Sequence, residues 1–223
     1  MFLKILMQMI LNQYINKRIN KIAPSHDFYL YCINIANITH TEYLEHFANL
    51  NSAEALRAQE YASFKLASEF TTCRSLCKHI LADALNLKPK SINFLYSDKG
   101  KPYLENYPIH FNISHSNEYA LIAIANKNIG VDIEYMNKDI EIEELMKIFA
   151  YDHEIKWILE NRSLSIQRFY TIWTLKEAIL KQQGEGITAE KFPSLINLDF
   201  PGYKLYKNTL HSEYAYALCL SNN

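Results

Sequence analysis

Cysteine is scarce, and Cys32, Cys73, Cys77 and Cys219 are the only four. They fall in strand-like or helix-like apolar contexts without the spacings of a disulfide framework, so a reducing compartment is expected. Cys73, Cys77 and His79 are near enough in sequence to be weighed as metal ligands, but a helix through them turns His79 well away from the cysteine face. Neither sign of charge is in excess: 23 Lys and Arg against 24 Asp and Glu leave a net charge of -1. That gives no reason to expect general nucleic-acid affinity, and any phosphate recognition must be local. Residues 1–10 form an apolar run with one lysine, but Asn12, Gln13, Lys17, Arg18 and Lys21 follow without a small-residue cleavage pattern. The expectation is an amphipathic helical extension, not a signal peptide. No other run approaches membrane-spanning length, so a cytoplasmic protein without membrane contact is expected.

What is present is ordinary for a soluble globular chain: 223 residues, 49% hydrophobic and 21% charged. That length makes one large domain or two small ones, either burying about 70% of its extended-chain surface. Residues 28–36 are aromatic and branched and follow turn-prone Pro24 to Asp27, which predicts a strand. From Thr41 to about Leu50, and from Ser52 to about Leu85, the period becomes helical, with Ser52 and Glu54 as a helix start. Phe70, Cys73, Cys77, Ile80, Leu81 and Leu85 form the expected buried stripe, and Arg74 and Lys78 the opposite face. Residues 91–96 read as a short strand, 97–102 as a turn, and 119–125 as a strand, with the chain dividing at the turn 126–128. Beyond come a strand at 130–134, helices at about 141–150, 153–160 and 165–183, a loop containing Pro193 and Pro201, and a last strand at 214–220. Gly184 and Gly186 would stop the long helix. The outline is α+β, two similar lobes of small, mostly antiparallel sheets packed with helices, at 1–127 and 128–223, with the site between them and no residue-level repeat.

The chemistry concentrates in two stretches. In a strand, Asp132 and Glu134 share one face while Val131 and Ile133 pack on the other. Two adjacent carboxylates repel, so an apolar strand carrying them usually has a cation to bind. In the helical stretch after Trp173, Glu177 and Lys181 are four apart on one face. Three oxygen ligands suit Mg²⁺, which keeps waters and adds substrate phosphates, and the lysine suits a phosphate leaving group. Each part also has a plainer reading: a solvated strand face, or an amphipathic helix with Trp173 and Ile179 inside and Lys176, Glu177 and Lys181 in water. His115 beside Ser114, Lys101 between Gly100 and Pro102, and Arg74 are open in the same way, as phosphate donors or as ordinary structural groups.

The conjunction is more specific. Gly-Lys-Pro at 100–102, Phe-Asn-Ile-Ser-His-Ser at 111–116, Gly-Val-Asp-Ile-Glu at 130–134 and Trp-x-x-Lys-Glu-Ala-x-x-Lys at 173–181 occur in this order. From about residue 50 to 187 the chain resembles the single-chain 4'-phosphopantetheinyl transferases of the surfactin-synthetase type.

The resemblance implies a pseudo-dimeric α+β fold, coenzyme A between the lobes, and Mg²⁺ on its diphosphate. It implies transfer of phosphopantetheine to a serine of an acyl or peptidyl carrier protein, by a monomer, releasing adenosine 3',5'-bisphosphate. Carried over, Asp132, Glu134 and Glu177 would bind the metal. Lys181 and His115 would face the diphosphate, and Arg74, Lys101, Ser114 and His115 would hold the adenosine end with its 3'-phosphate. The nucleophile also needs a base, Glu177 directly or through water, with Glu154 as rival. Arg57 is retained, but Glu60 and Ala67 stand where the family often has arginine, and residues 1–23 have no counterpart in it. Two other classes use the same residues: a metal-dependent nucleotide diphosphate hydrolase and a non-catalytic carrier-binding scaffold.

Overall fold

The computed structural model describes residues 19–24, 27–185 and 192–222. The first lobe runs β1 (Ile19–Pro24), β2 (Phe28–Asn34), α1 (His40–Phe47), α2 (Ser52–Gln59), α3 (Phe64–Leu85), β3 (Leu95–Tyr96), β4 (Pro102–Tyr103), β5 (His110–Ser116) and β6 (Tyr119–Ala125). The second runs β7 (Ile129–Tyr135), α4 (Ile142–Phe149), α5 (Asp152–Leu159), α6 (Ser165–Gln183), β8 (Tyr203–Leu210) and β9 (Tyr214–Ser221). One antiparallel sheet has the order β1-β2-β6-β5 and another β7-β9-β8, with β3 and β4 as a separate ribbon.

Alternation along the strands builds four layers, helix, sheet, sheet, helix. Phe28, Leu30, Cys32, Leu121 and Ala123 from one sheet meet Ile129, Val131, Ile133, Tyr216, Leu218 and Leu220 from the other. The opposite faces carry Ile33, Ala120 and Ile122 against α3, and Ala215, Ala217 and Cys219 against α6. The α+β class expected from the residues, with small antiparallel sheets packed with helices, is the observed one.

Several local expectations are corrected. The helical pattern from Ser52 to Leu85 is two helices, broken at residues 60–63, with Ser63 capping α3. The cap of α2 is Asn51, in a capping box with Glu54, and Ser52 is already helical. The strand expected at 91–96 shrinks to Leu95–Tyr96, after a 3₁₀ turn at Pro89–Ser91. Strand β8 occupies what reads as loop; three of its eight side chains are exposed and none is buried, so it lacks a continuous apolar signal. Of the helical extension expected over residues 1–23, residues 1–18 lie outside the described residues, as does Gly186, and its end is corrected. The adjoining Ile19–Pro24 is a strand, because the outer edge of β2 offers backbone groups that an extended segment satisfies. All four cysteines are free and buried, and among the described residues no helix is long and apolar enough to cross a membrane.

The lobes repeat one order, strand, three helices, hairpin, and the repeat extends to register. Ile35 donates to the Glu118 carbonyl and Met136 to the Glu213 carbonyl, each at 2.8 Å. Asn34 pairs with Tyr119 as Tyr135 pairs with Tyr214. Position 31 therefore corresponds to 132, and 33 to 134.

Candidate active site

Strand β7 turns Gly130, Asp132 and Glu134 toward α6 while Val131 and Ile133 enter the core between the sheets. Gly130 makes the approach possible: a Cβ there would lie 2.0 Å from the Ala178 carbonyl oxygen and 2.4 Å from the Gln182 nitrogen. The helix lies along the strand so that Lys181 reaches Asp132, and Trp173, two turns earlier, reaches Glu134. Gly184, at φ 77°, ends the helix in the left-handed conformation.

Asp132 and Glu177 are each 2% exposed, which removes the solvated reading of both. The Lys181 ammonium donates to Asp132 Oδ1 at 2.5 Å and to Ser114 Oγ at 3.0 Å, and Ser114 Oγ donates to the same carboxylate oxygen at 2.9 Å. Lys181 thus pairs across to β7, not along the helix with Glu177. Asp132 Oδ2 and Glu177 Oε1 are buried and have no hydrogen-bond partner among the described residues. Burial first, then the Asp132 charge, pushes the Glu177 carboxyl up to about 7. Burial also raises Asp132, against Lys181 and Ser114. Glu134 differs: Oε2 accepts from Ser116 Oγ at 3.0 Å and Oε1 from Trp173 Nε1 at 3.3 Å. Its carboxyl is raised by burial and next by Asp132.

Two orphaned carboxylate oxygens in a buried, acidic, oxygen-lined position fit a hard divalent cation, which takes one or two carboxylates and completes its shell with water and phosphate. Among the described residues, no three acidic, histidine or cysteine side chains converge closely enough to form a ligand set alone.

The other expected residues spread outward from this centre. Ser114 is buried inside it. Burial, before any charge, lowers His115, which also feels Glu69 and Lys181. Lys101 donates to the Ile129 and Gln182 carbonyls, both at 3.1 Å, and burial brings its ammonium down to about 8. It still lines a cavity of about 220 Å³ with Pro102, Ile113, Glu177, Lys181 and Gly184. Arg74 is apart: its guanidinium lies 5.0 to 5.7 Å from the ring centres of Phe94, Phe70 and Tyr96, and its Nε and Nη1 have no partner among the described residues. It is 8% exposed and Lys78 1%, so the polar face expected on α3 is buried.

Glu154 is excluded as a base by its partners. Oε2 accepts from Tyr151 N at 2.8 Å and Lys176 Nζ at 2.6 Å, and Oε1 accepts from Leu195 N at 2.8 Å. Lys176, expected in water, is fully buried there. Sequence reasoning missed Gly130 as the packing residue and Ser116 as a partner of Glu134. A glycine opening an apolar strand was the signal for the first; for the second there was the alternation of Asn112, Ser114 and Ser116.

The fold and site define a two-lobed α+β protein whose buried acids and lysine meet at the junction of the lobes. Residues 128–220 match the model of the 4'-phosphopantetheinyl transferase superfamily, and residues 37–127 match that of the 4'-phosphopantetheinyl transferase N-terminal region. The chain belongs to this superfamily. It is 32% identical over 142 residues to the 4'-phosphopantetheinyl transferase gsp of Aneurinibacillus migulanus, covering 63% of this chain and 58% of that protein. With 4'-phosphopantetheinyl transferase HetI of Nostoc sp. it shares 34% identity over 149 residues, 63% of this chain and 62% of that one. With 4'-phosphopantetheinyl transferase Sfp of Bacillus subtilis the figures are 30% over 114 residues, 51% and 50%. The chain thus spans about three fifths or less of the length of these curated relatives.

Proposed function

We propose that the protein transfers the 4'-phosphopantetheine group of coenzyme A to a serine hydroxyl of an apo acyl or peptidyl carrier protein, leaving adenosine 3',5'-bisphosphate. The observation that carries this reading is the pairing of Lys181 with Asp132 beside the unpartnered Glu177 oxygen, at the junction of two lobes that both match the superfamily. Asp132 and Glu177, with Glu134 beside them, would hold Mg²⁺, which when bound would neutralise charge on the diphosphate. Lys181 supplies a fixed cation to the leaving oxygens, with His115 on the same side. Glu177 takes the proton of the attacking serine, directly or through a water. Arg74, Lys101, Ser114 and His115 are proposed for the adenosine end and its 3'-phosphate. The Arg74 guanidinium, boxed by rings and without a hydrogen-bond acceptor among the described residues, is chemically ready for a phosphate.

The carrier is proposed to dock along α4 and α5. Leu145 and Ile148 are exposed there, and an apolar cavity of about 370 Å³ lined by Ile148, Phe149, Phe169, Tyr170 and Trp173 opens beside Glu134. An apolar face of a partner helix fits such a surface. The division at 127 and 128, a monomer and a cytoplasmic location are parts of the same reading. Incubation with coenzyme A, Mg²⁺ and apo carriers tests it: the expected result is a phosphopantetheine mass gain on the carrier. No gain across acyl and peptidyl carriers rejects it, and release of phosphopantetheine without a carrier would select hydrolysis instead.

A further inference from the structure

Strand β7 lies at the edge of its sheet, and its outward N–H groups have no backbone partner strand among the described residues. They are capped by side chains of β5, from the other lobe, at a constant offset of nineteen residues. Val131 N donates to Asn112 Oδ1 at 2.8 Å, Ile133 N to Ser114 Oγ at 3.4 Å, and Tyr135 N to Ser116 Oγ at 3.0 Å. Edge N–H groups need acceptors, and a side-chain ladder supplies them without a continuous sheet.

A serine hydroxyl has one proton and accepts through its lone pairs. Once Ser116 Oγ accepts from Tyr135 N, its proton is left for Glu134 Oε2, 3.0 Å away. Ser114 stands in the same relation to Ile133 N and Asp132. Asn112, with a carbonyl oxygen in place of a hydroxyl, anchors Val131 and makes no hydrogen bond to Asp132 or Glu134 among the described residues.

We infer that Ser116 is a positioning residue: one hydroxyl both docks the first lobe on β7 and aims Glu134, so the acidic face of the second lobe is completed by the first. The inference rests on the proposal that this face holds a divalent cation. Removing an outer partner of a ligating carboxylate typically weakens metal binding by about 10–100-fold.

The test is direct Mn²⁺ binding to the full chain with coenzyme A present, read by electron paramagnetic resonance of free Mn²⁺. Ser116→Ala is expected to weaken binding by about 10–100-fold, and Ser116→Thr, which keeps the hydroxyl, to restore it. Asn112→Ala should lower the unfolding midpoint yet hold Mn²⁺ as the wild type does. Wild-type affinity in S116A, no rescue by S116T, or equal weakening in N112A each overturns the inference. If S116A does not fold, Ser116→Cys, a weak donor, is read in its place and should bind less tightly than S116T. If N112A does not fold, the S116T rescue alone decides. No Mn²⁺ binding by the wild type removes the metal proposal itself, which separates the two failures.

Discussion

Lys176 donates to Glu154 at 2.6 Å and to the Phe149 carbonyl at 2.7 Å, and in doing so fastens the first turn of α5 to the middle of α6. The first lobe has the same device: Lys78 donates to Glu54 at 2.5 Å and to the Asn49 carbonyl at 3.3 Å. In each case the glutamate also accepts from the backbone N–H of the residue that opens its helix, Tyr151 in one lobe and Asn51 in the other, where the Asn51 side chain completes a capping box. The residue after each lysine then occupies an equivalent place, Glu177 in the second lobe and His79 in the first. With Tyr31 and Ile33 at the places of Asp132 and Glu134, the first lobe keeps the clamp and lacks the acids.

The clamp sets a stability prediction. Removing one partner of a buried pair leaves an uncompensated charge and typically destabilises by about 3–5 kcal/mol, whereas replacing both with apolar groups is often near neutral. Lys176→Met should therefore lower stability by roughly that amount, and Lys176→Met with Glu154→Leu should recover much of it. Urea unfolding of the three proteins checks this. A double variant less stable than K176M would show that the Tyr151 and Leu195 bonds to Glu154 matter more.

A buried carboxyl and a half-buried imidazole oppose each other in pH dependence. Burial holds Glu177 up at about 7 and His79 down at about 4 in the folded protein. A raised carboxyl gives stability that is full below its unfolded value and lost as pH rises through about 7. A depressed imidazole gives stability present above its unfolded value and lost as pH falls through about 4. Each is on the order of 3 kcal/mol, with opposite slopes in the same window. In metal-free protein, and relative to the wild type, Glu177→Gln should tilt the profile toward stability rising with pH across this range, and His79→Gln toward stability falling. Identical urea midpoint profiles for both variants and the wild type would refute the assignment.

Gly130→Ala tests the packing of β7 on α6. Its Cβ would collide with helix backbone at 2.0 Å, which no rotamer change relieves. Overpacking of this kind costs about 1–3 kcal/mol or more, and the helix must move away from Asp132. A lowered melting temperature with transfer falling further than at equal thermal stress is expected; unchanged activity would mean that the site tolerates the shift.

Lys181→Ala should act mainly on the chemical step. Loss of a preorganised cation at developing charge lowers kcat by about 100–1000-fold, while carrier KM changes little. A variant with raised KM and unchanged kcat would place Lys181 in binding instead.

Ile148→Glu on α4 should do the reverse. The side chain is 63% exposed, so folding is spared. A higher carrier KM with coenzyme A KM unchanged is expected in steady-state assays, and unaltered carrier KM would move the docking surface elsewhere.

The layers were legible where side chains obey a simple period. Alternation gave β7 with Val131 and Ile133 inward, and the 3.6-residue stripe gave α6 and most of α3. Strand β8 escaped because three of its eight residues are exposed and none is buried, and β1 because it continues a stretch read as helical and is held by the free edge of the neighbouring β2. The repeat was hidden for a different reason: lobe equivalence survives in backbone register and in Lys78 and Lys176, while Tyr31 against Asp132 and His79 against Glu177 share no chemistry.

By itself the sequence determined the local elements and the set of acids and bases, since period, caps and motif spacing are properties of neighbours along the chain. Only the tertiary structure decided which of them act together. Burial made Lys176 and Glu154 a clamp instead of a surface cation and a base, set Lys181 against Asp132 across the lobe, and gave Ser116 to Glu134. Those choices depend on which groups lose water together, and that is fixed by packing between segments far apart in the chain.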